Sequence, residues 1–208
     1  MSQPATAETL DSGSRGRLLR AALHLLAVRG YAAVGIREVA AEADLTTGAA
    51  YHHFGSKEAL FRAAVEYYAH RAVSERPVLP AASGSVAEQP PVGEQLSAVV
   101  DWLAGGQEGW QRDLGVVVST RIRWLPEFAD VYERLQPAFL QLVRDPIVAG
   151  VERGELLATP TLDADALAWS FTAALVGTLE MYARDVLGMP LQQALQAQLA
   201  IFLRGVRA

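Results

Sequence analysis

The segment from Ile36 to His53 carries the side chains best placed for specific chemistry. It contains two short stretches with helical periodicity separated by Asp44-Leu45, and the second begins with the small hydroxyl residues Thr46 and Thr47. Reading DNA requires a short helix whose N-terminal side chains reach base edges while neighbouring groups hold the phosphates. The layout therefore predicts a helix-turn-helix, a signal of limited specificity because many corners between two helices look alike.

Other chemistries find less support. His52 and His53 are adjacent, so on a helix they point about 100° apart, and no third ligand accompanies them. Glu66 and His70 are four residues apart but lack a matching pair on another helix, which favours a solvated face over a metal site. The sequence has no Gly-rich phosphate loop, no Gly-x-Ser-x-Gly and no His-Glu-x-x-His. We expect no enzymatic activity, no metal and no cofactor.

The amino-acid composition further limits which classes of protein this chain can belong to. The 208 residues are 51% hydrophobic and 20% charged, which is typical of a folded globular protein. The absence of cysteine excludes disulfides, thiolate metal sites and cysteine nucleophiles. The polar N-terminus does not resemble a signal peptide, and the uncharged run between Asp165 and Glu180 has only 14 residues, too few to span a bilayer. We expect a soluble, cytoplasmic protein that has no membrane partner.

The net charge of −5 argues at first against nucleic-acid binding, but the charge is unevenly distributed. Residues 1–76 carry nine basic and eight acidic side chains, whereas residues 77–208 carry nine and fifteen. A nearly neutral N-terminal third joined to an acidic remainder indicates two regions with different partners.

Periodicity predicts an all-α chain with two regions of helix. Apolar residues recur at spacings of three and four, and Gly and Pro residues interrupt them. Residues 77–93 contain four prolines and are predicted to form a mobile loop, while Pro137 and Pro146 should kink or divide the helix that contains them. Two predicted helices have hydroxyl caps: one is capped by Thr46 or Thr47 and ends at His53, and the next is capped by Ser56 and ends near Glu75. The other predicted helices are 14–29, 36–43, 94–104, 108–123, 127–152, 163–187 and 190–205.

The stretch Arg17–Glu66 resembles the DNA-binding domain of the tetracycline-repressor (TetR) family of bacterial transcription regulators. The matching residues read LLRAALHLLAVRGYAAVGIREVAAEADLTTGAAYHHFGSKEALFRAAVE, and the run Ala49–Leu60 is especially close to the end of the family's recognition helix. Residues 1–13 are rich in Ser, Ala, Gly and Thr without period, which predicts a disordered tail. The resemblance implies a helix-turn-helix DNA-binding domain with a three-helix bundle at 14–58 and a helical ligand-binding and dimerisation domain at 59–208.

Carried over residue by residue, the resemblance implies the DNA contacts. Residues 46–49 would form the start of the recognition helix, where Thr47 faces bases, and Lys57 would contact a phosphate. Tyr51 and His53 would reach phosphates or support the helix, and Arg37 would contact the backbone or a base edge. The full set of implied DNA contacts is Arg37, Thr46, Thr47, Gly48, Ala49, Tyr51, His53 and Lys57. Two positions depart from the family pattern. Gly35 replaces a hydroxyl residue that caps the second helix, and Ala50 replaces a larger aliphatic residue.

The segment 163–187 is apolar around most of its circumference, and such a helix must be buried on all sides. The chain's own core covers one side, so the other side needs a partner chain. The resemblance likewise implies a homodimer that packs its last two long helices as a four-helix bundle. The candidate interface residues are Trp169, Leu175, Leu179 and Tyr182.

All four tryptophans lie beyond residue 100, and aromatic side chains taken singly are most simply core residues. The resemblance implies a ligand chamber in this domain for a small hydrophobic or aromatic effector. The candidate lining residues are Trp102, Trp110, Thr120, Trp124, Phe128, Trp169, Phe171 and Glu180. Burial of Glu180 would require a partner, for which Arg121 or Arg123 is favoured over a cationic ligand.

These features together predict a homodimeric, ligand-responsive transcription regulator, expected to be a repressor that binds a palindromic double-stranded DNA operator. The alternative is a helical dimeric protein that binds small molecules and does not recognise DNA. Binding to selected DNA distinguishes the two.

Overall fold

The computed structural model describes residues 13–74, 89–105 and 109–207, with the side chain of Val73 left out. Residues 1–12 of the predicted tail (1–13) and residues 77–88 of the predicted loop (77–93) lie outside these residues. Within the described ranges the chain is helical and forms only isolated β-bridges, so the predicted all-α fold is confirmed. The helices are α1 (Ser14–Arg29), α2 (Ile36–Glu42), α3 (Thr47–Phe54), α4 (Lys57–Ser74), α5 (Val92–Ala104), α6 (Trp110–Val116), α7 (Ala129–Glu152), α8 (Ala164–Ala183) and α9 (Leu191–Val206).

The N-terminal helices follow the sequence pattern closely. Helix α1 buries Leu18, Leu19 and Leu26 on one face and ends at Gly30, whose φ of 79° and N–H bond to the Leu26 carbonyl are typical of a C-terminal stop. In α4 the apolar residues Leu60, Phe61, Ala64, Val65 and Tyr68, spaced three and four apart, are completely buried. Helix α4 packs against α1, which places this apolar face at the centre of this part of the molecule.

The predicted helix 108–123 was wrong in its second half. Helix α6 ends at Val116 and continues as a π turn from Val117 to Arg121, in which the Ile122 N–H bonds to the Val117 carbonyl at 3.0 Å. The Ser119 hydroxyl bonds to the Gly115 carbonyl, four residues earlier, and so supports the wider turn. A π turn inserts one residue into a helix, and such insertions often occur at functional sites.

Helix ends in the C-terminal domain also differ from the prediction. Helix α8 ends at Ala183 instead of residue 187, because Asp185 adopts a left-handed φ of 57°. A short 3-10 turn, Pro126–Phe128, precedes α7, which is one helix that contains both Pro137 and Pro146 and is not divided by them.

Helices α5–α9 pack around a core that is continuous with that of the N-terminal helices. Helix α8 packs between α7 and α9, and α9 packs on α5. In the part of the chain that the structure describes, no helix combines the length and the apolar character needed to cross a membrane.

Candidate nucleic-acid interface and ligand cavity

The candidate recognition helix is α3, and local hydrogen bonds define both of its ends. The Thr46 hydroxyl caps its N-terminus by accepting a 3.1 Å hydrogen bond from the Ala49 N–H. At the other end Gly55, with a φ of 72°, donates its N–H to the Tyr51 carbonyl at 2.8 Å. Ala50 is completely buried, so the small residue that departs from the family pattern is the one by which α3 packs onto the domain.

The outward face of α3 contains most of the predicted DNA contacts. Thr46, Gly48 and Tyr51 are exposed, and Tyr51 has 52% of its surface accessible. Thr47 and Ala49, predicted to belong to the exposed start of the helix, are half-buried. The exposed hydroxyl and phenol groups are ordinary hydrogen-bond donors to bases and phosphates.

His53 lies at the edge of this face and connects α3 to α1. Its Nε2 shares a 2.9 Å hydrogen bond with the Ser14 hydroxyl, and the guanidinium of Arg15 lies 5.3 Å from the centre of the Phe54 ring. Of the two predicted roles for His53, phosphate contact or support of the helix, these contacts favour support.

Sequence reasoning missed His52 as a candidate contact. Its side chain is exposed on α3 next to Tyr51, and it lies four residues after Gly48 on the same helical face. The helical period counted from Gly48 was the signal that could have identified it.

Lys57 begins α4 immediately beside this surface. The Ser56 hydroxyl caps the helix by accepting a 3.1 Å hydrogen bond from Ala59, and the Lys57 ammonium lies 4.3 Å from the centre of the Tyr31 ring. Tyr31 in turn packs edge-to-face on Phe61 and Phe128. Lys57 is therefore a cation held on a rigid aromatic support at a helix N-terminus, an arrangement suited to an anion such as phosphate.

Arg37 is exposed on α2, and the start of that helix has an unusual cap. Gly35 has no side chain to offer, but the Glu38 carboxylate accepts a 2.8 Å hydrogen bond from the Gly35 N–H. Arg29 donates to the same carboxylate at 2.6 Å. Together the Gly35 N–H and, secondly, the Arg29 guanidinium hold the pKa of Glu38 below its ordinary value.

A cavity of about 220 Å³ lies between helices α4, α5, α6 and α7. Its walls are largely apolar and carry no ionisable side chain among the described residues: Ala69, Ala72, Trp102, Leu114, Val118, Leu135, Ala138, Phe139, Gln141 and Leu142. Among the predicted pocket residues, Trp102 contributes to this cavity. Apolar walls with a single amide are typical of sites for uncharged hydrophobic ligands.

A smaller cavity of about 140 Å³ lies beside it, toward α8. Trp169, also a predicted pocket residue, lines this second cavity together with Thr172 and Ser119. Val118 and Phe139 belong to the walls of both cavities and therefore separate them.

The structure does not bring the other predicted pocket residues to either cavity. Trp110 packs on Tyr68 and Trp102, Phe128 is fully buried, and Phe171 stacks on Phe202 at 4.6 Å. Trp124 is 76% exposed.

The polar candidates are also engaged elsewhere. The Thr120 hydroxyl bonds to the Val116 carbonyl at 2.8 Å, within the π turn. Glu180 is half-buried and pairs at 2.5 Å with Arg184, one helical turn further along α8. The expectation of an Arg121 or Arg123 partner for Glu180 was wrong, because a nearer arginine satisfies the carboxylate within the same helix.

The predicted dimer residues divide into two groups. Leu175 and Leu179 are 2% and 0% exposed, so they belong to the core of the protomer itself and cannot offer a surface to a partner. Trp169, by contrast, is 54% exposed, and Tyr182 is half-buried beside the Arg112 guanidinium. Helix α8 thus has one face in the core and one apolar face in solvent.

A short capped helix with an exposed polar face, set on a second short helix and followed by further helices, is a helix-turn-helix arrangement, which in other proteins places its second helix on DNA. Residues 18–64 match the family model described as bacterial regulatory proteins, tetR family. This part of the chain is therefore a TetR-type helix-turn-helix region, as the motif in Arg17–Glu66 had indicated.

Known proteins with similar sequence carry the same region. The chain is 46% identical over 52 residues to the HTH-type transcriptional regulator YerO of Bacillus subtilis (strain 168), covering 25% of this chain and 18% of YerO. It is 42% identical over 57 residues to the HTH-type transcriptional repressor KstR2 of Rhodococcus jostii (strain RHA1), covering 27% of this chain and 28% of KstR2. The alignments thus span less than a third of these curated relatives.

Similarity of fold extends over nearly the whole chain. The structure of a TetR transcriptional regulator from Chloroflexus aurantiacus J-10-FL superposes with a TM-score of 0.64 and 27% identity, covering 93% of this chain and 96% of that one. The C-terminal helices therefore share the architecture of a solved TetR regulator.

Proposed function

We propose that this protein is a DNA-binding transcription regulator that acts as a homodimer and responds to a small apolar effector. The observation that carries the proposal is the exposed face of α3, formed by Gly48, Tyr51 and His52 on a helix braced at both ends. Lys57 adds a supported cation at the adjacent helix N-terminus. The match of residues 18–64 to the tetR family supports the same reading.

Repression is the mode of regulation that we propose. KstR2, which shares the helix-turn-helix region, is described as a repressor. A dimer with two-fold symmetry would read a palindromic operator whose half-sites lie about 34–36 Å apart, or somewhat further.

Selection of bound DNA from a random pool tests this function. The wild-type protein should enrich a palindromic sequence, and Tyr51→Ala/His52→Ala should bind that sequence about tenfold more weakly or worse, because base and phosphate contacts are lost. Thr161→Ala, which changes an exposed residue outside α8, α9 and the DNA-binding helices, serves as the control and should bind like wild type. Failure of the wild type to enrich any sequence would favour the alternative of a dimeric small-molecule-binding protein.

We propose that the dimer forms through the exposed face of α8 with neighbouring residues of α9. Trp169 and Met181 are 54% and 46% exposed on α8, and Ile201 is 69% exposed on α9. Between them on α8 lie the small residues Ala173 and Gly177, spaced four apart from Trp169. Large exposed apolar side chains grouped with small ones are typical of a surface that packs against another helix pair.

We propose that the effector occupies the 220 Å³ cavity and is compact, uncharged and apolar. The cavity is smaller than the roughly 300–1,000 Å³ of most drug-sized sites, and its described walls contain no charge that could pair with an ionic ligand. An effector bound there shifts the protein away from the DNA-binding state only if it binds the two states with different affinity.

Two probes of nearly equal size test the chemistry of the cavity. 2-Naphthol, which is neutral at pH 7, should quench the tryptophan fluorescence because Trp102 lines the cavity, whereas 2-naphthoate should not bind. Ala72→Phe fills the cavity and should abolish the quenching, and Ala158→Phe, in an exposed segment, should not. Tight binding of 2-naphthoate, or unchanged binding by Ala72→Phe, would contradict the proposal.

A further inference from the structure

Arg121 occupies a position between the DNA-binding helices and the C-terminal domain. Its Nε donates a 2.9 Å hydrogen bond to the Ala27 carbonyl, and its Nη2 lies 3.5 Å from the Val28 carbonyl, both in the last turn of α1. The same Nη2 donates at 3.2 Å to the Ala183 carbonyl at the end of α8. One guanidinium thus bridges the C-terminal ends of two helices that belong to different parts of the molecule.

The chemistry of these helix ends explains why an arginine suits the position. The last carbonyls of a helix lack partners within the helix and carry a partial negative charge. A planar guanidinium has several N–H groups in a fixed arrangement and can donate to more than one carbonyl, which a lysine ammonium at the end of a flexible chain does less well. Arg121 therefore donates hydrogen bonds to carbonyls in the last turn of α1 and to the last carbonyl of α8.

Arg121 is also the last residue of the π turn that forms part of both cavities. Val118, three residues before it, lines the 220 Å³ and the 140 Å³ cavity, and Ser119 lines the smaller one. If the π turn shifts when a ligand enters a cavity, the backbone of Arg121 shifts with it. The cavity wall and the contact to α1 thus belong to one five-residue segment.

We propose that Arg121 is the positioning residue that fixes the orientation of the DNA-binding helices on the C-terminal domain, and through it the spacing of the two recognition helices in the dimer. The inference rests on the proposed function, since it concerns how the dimer selects its operator. Other contacts join the same parts, among them the 2.9 Å pair of His24 with Asp113 and the 2.9 Å pair of Arg62 with Asp130. Arg121 differs from these two in reaching α8, the helix proposed for the dimer interface.

Operators with altered half-site spacing test this role. Insertion or deletion of one base pair moves a half-site by about 3.4 Å and rotates it by about 35°. A dimer whose DNA-binding helices are held in a fixed orientation should therefore bind operators of different half-site spacing with very different affinities. In Arg121→Gln the affinity ratio between the best spacing and its neighbours should fall about two- to thirtyfold, the range found for residues that couple distant sites. Arg121→Lys should resemble Arg121→Gln, because a single ammonium does not bridge both helix ends.

Arg123→Gln is the matched control, since it removes the same charge two residues away. The Arg123 side chain is exposed and lies over the Trp124 ring at 4.7 Å, and among the described residues it forms no hydrogen bond to α1, so its loss should leave the ratio unchanged. A uniform loss of affinity at every spacing in Arg121→Gln, or wild-type discrimination in Arg121→Lys, would overturn the proposal.

A second measurement does not depend on DNA binding. The chain has no cysteine, so Ala41→Cys in the DNA-binding region and Gln192→Cys on α9 can carry spin labels without background. Diluted with unlabelled protein, the labelled pair should give a narrow distance distribution that Arg121→Gln broadens and Arg123→Gln does not. An unchanged distribution would refute the role of Arg121, whereas failure of the wild type to select DNA would refute only the proposed function.

Discussion

At the scale of single residues, the side chains proposed to meet DNA are held in place before DNA arrives. Lys57 is the only lysine of the chain, and it rests on the ring of Tyr31, which packs on Phe61 and Phe128. The residues that support this surface are also fixed, since His53 is joined to Ser14, and Glu38 to Gly35 and Arg29. Such contacts reduce the side-chain entropy that binding would otherwise remove.

Replacement of Lys57 by alanine should weaken binding to all DNA sequences by a similar factor. If the ammonium holds a phosphate, DNA binding by the alanine variant releases one fewer counterion from the DNA. The slope of log affinity against log salt concentration should then be reduced by about one. Fluorescence anisotropy at several salt concentrations measures the slope, with Lys57→Arg as the control that keeps the charge. A loss of affinity that depended on the identity of one operator base would show that Lys57 contacts that base instead of a phosphate.

Glu38 should give the stability of the protein a pH dependence at acid pH. Its pKa is lowered in the folded state, first by the Gly35 N–H and then by Arg29, so its contribution is complete above the ordinary glutamate pKa of about 4.3. That contribution is lost as the pH falls through the lower folded-state pKa. Glu38→Gln should therefore be less stable than wild type at pH 7, and the difference should shrink as the pH falls below about 4.3.

Urea denaturation at each pH measures this difference. Glu42→Gln removes a charge from the other end of the same helix, where neither Gly35 nor Arg29 contacts the carboxylate, and serves as the control. A stability difference for Glu38→Gln that stays constant down to pH 3 would contradict the assigned role.

At the scale of elements, α3 is too short to be stable by itself. It has eight residues, and isolated helices of fewer than about 12–15 residues are marginal in water. Its stability comes from the Thr46 cap, the Gly55 stop and the burial of Ala50 against the rest of the domain. The face that remains exposed can carry polar residues because packing is concentrated on the opposite face.

Removal of the Thr46 hydroxyl should destabilise this element. Thr46→Ala loses the acceptor for the Ala49 N–H and should lower the free energy of unfolding by about 1 kcal/mol, whereas Thr46→Ser keeps the cap and should stay close to wild type. Chemical denaturation measures both variants. Equal stability of Thr46→Ala and wild type would show that the cap contributes nothing to the fold.

At the scale of the whole molecule, the exposed apolar face of α8 determines the proposed assembly. Trp169 lies on that face and also lines the smaller cavity, so the proposed interface and the cavity region share a side chain. Dimerisation would place the two copies of this region close to the two-fold axis.

An aspartate at the proposed interface should dissociate the dimer. Trp169→Asp would bury an unpaired charge, at a cost of about 3–5 kcal/mol if the site is fully enclosed, and should give monomer in sedimentation at micromolar concentration. Trp124→Asp makes the same change at an exposed tryptophan outside α8 and α9 and should leave the dimer intact. Wild-type protein that sediments as a monomer would refute the proposed homodimer.

Local patterns in the sequence were enough to predict the class of fold and the four N-terminal helices. Helical periodicity, the glycine stops and the hydroxyl caps act between residues that are close in the chain, so α1 to α4 could be predicted to within a residue or two. The motif around Ala49–Leu60 similarly indicated the tetR-type helix-turn-helix region, because it depends on residue types at fixed spacing.

The tertiary structure alone decided which apolar residues of the C-terminal domain face the core, a cavity or solvent. Leu175 and Trp169 lie on the same apolar helix, and only the packing of α8 against α7 and α9 buries one and exposes the other. The predicted partner of Glu180 failed for a related reason, since a contact one helical turn away in α8 satisfied it first. The bridge from Arg121 to Ala27 spans 94 positions of sequence, and no local pattern specifies which carbonyl a guanidinium will meet at that distance.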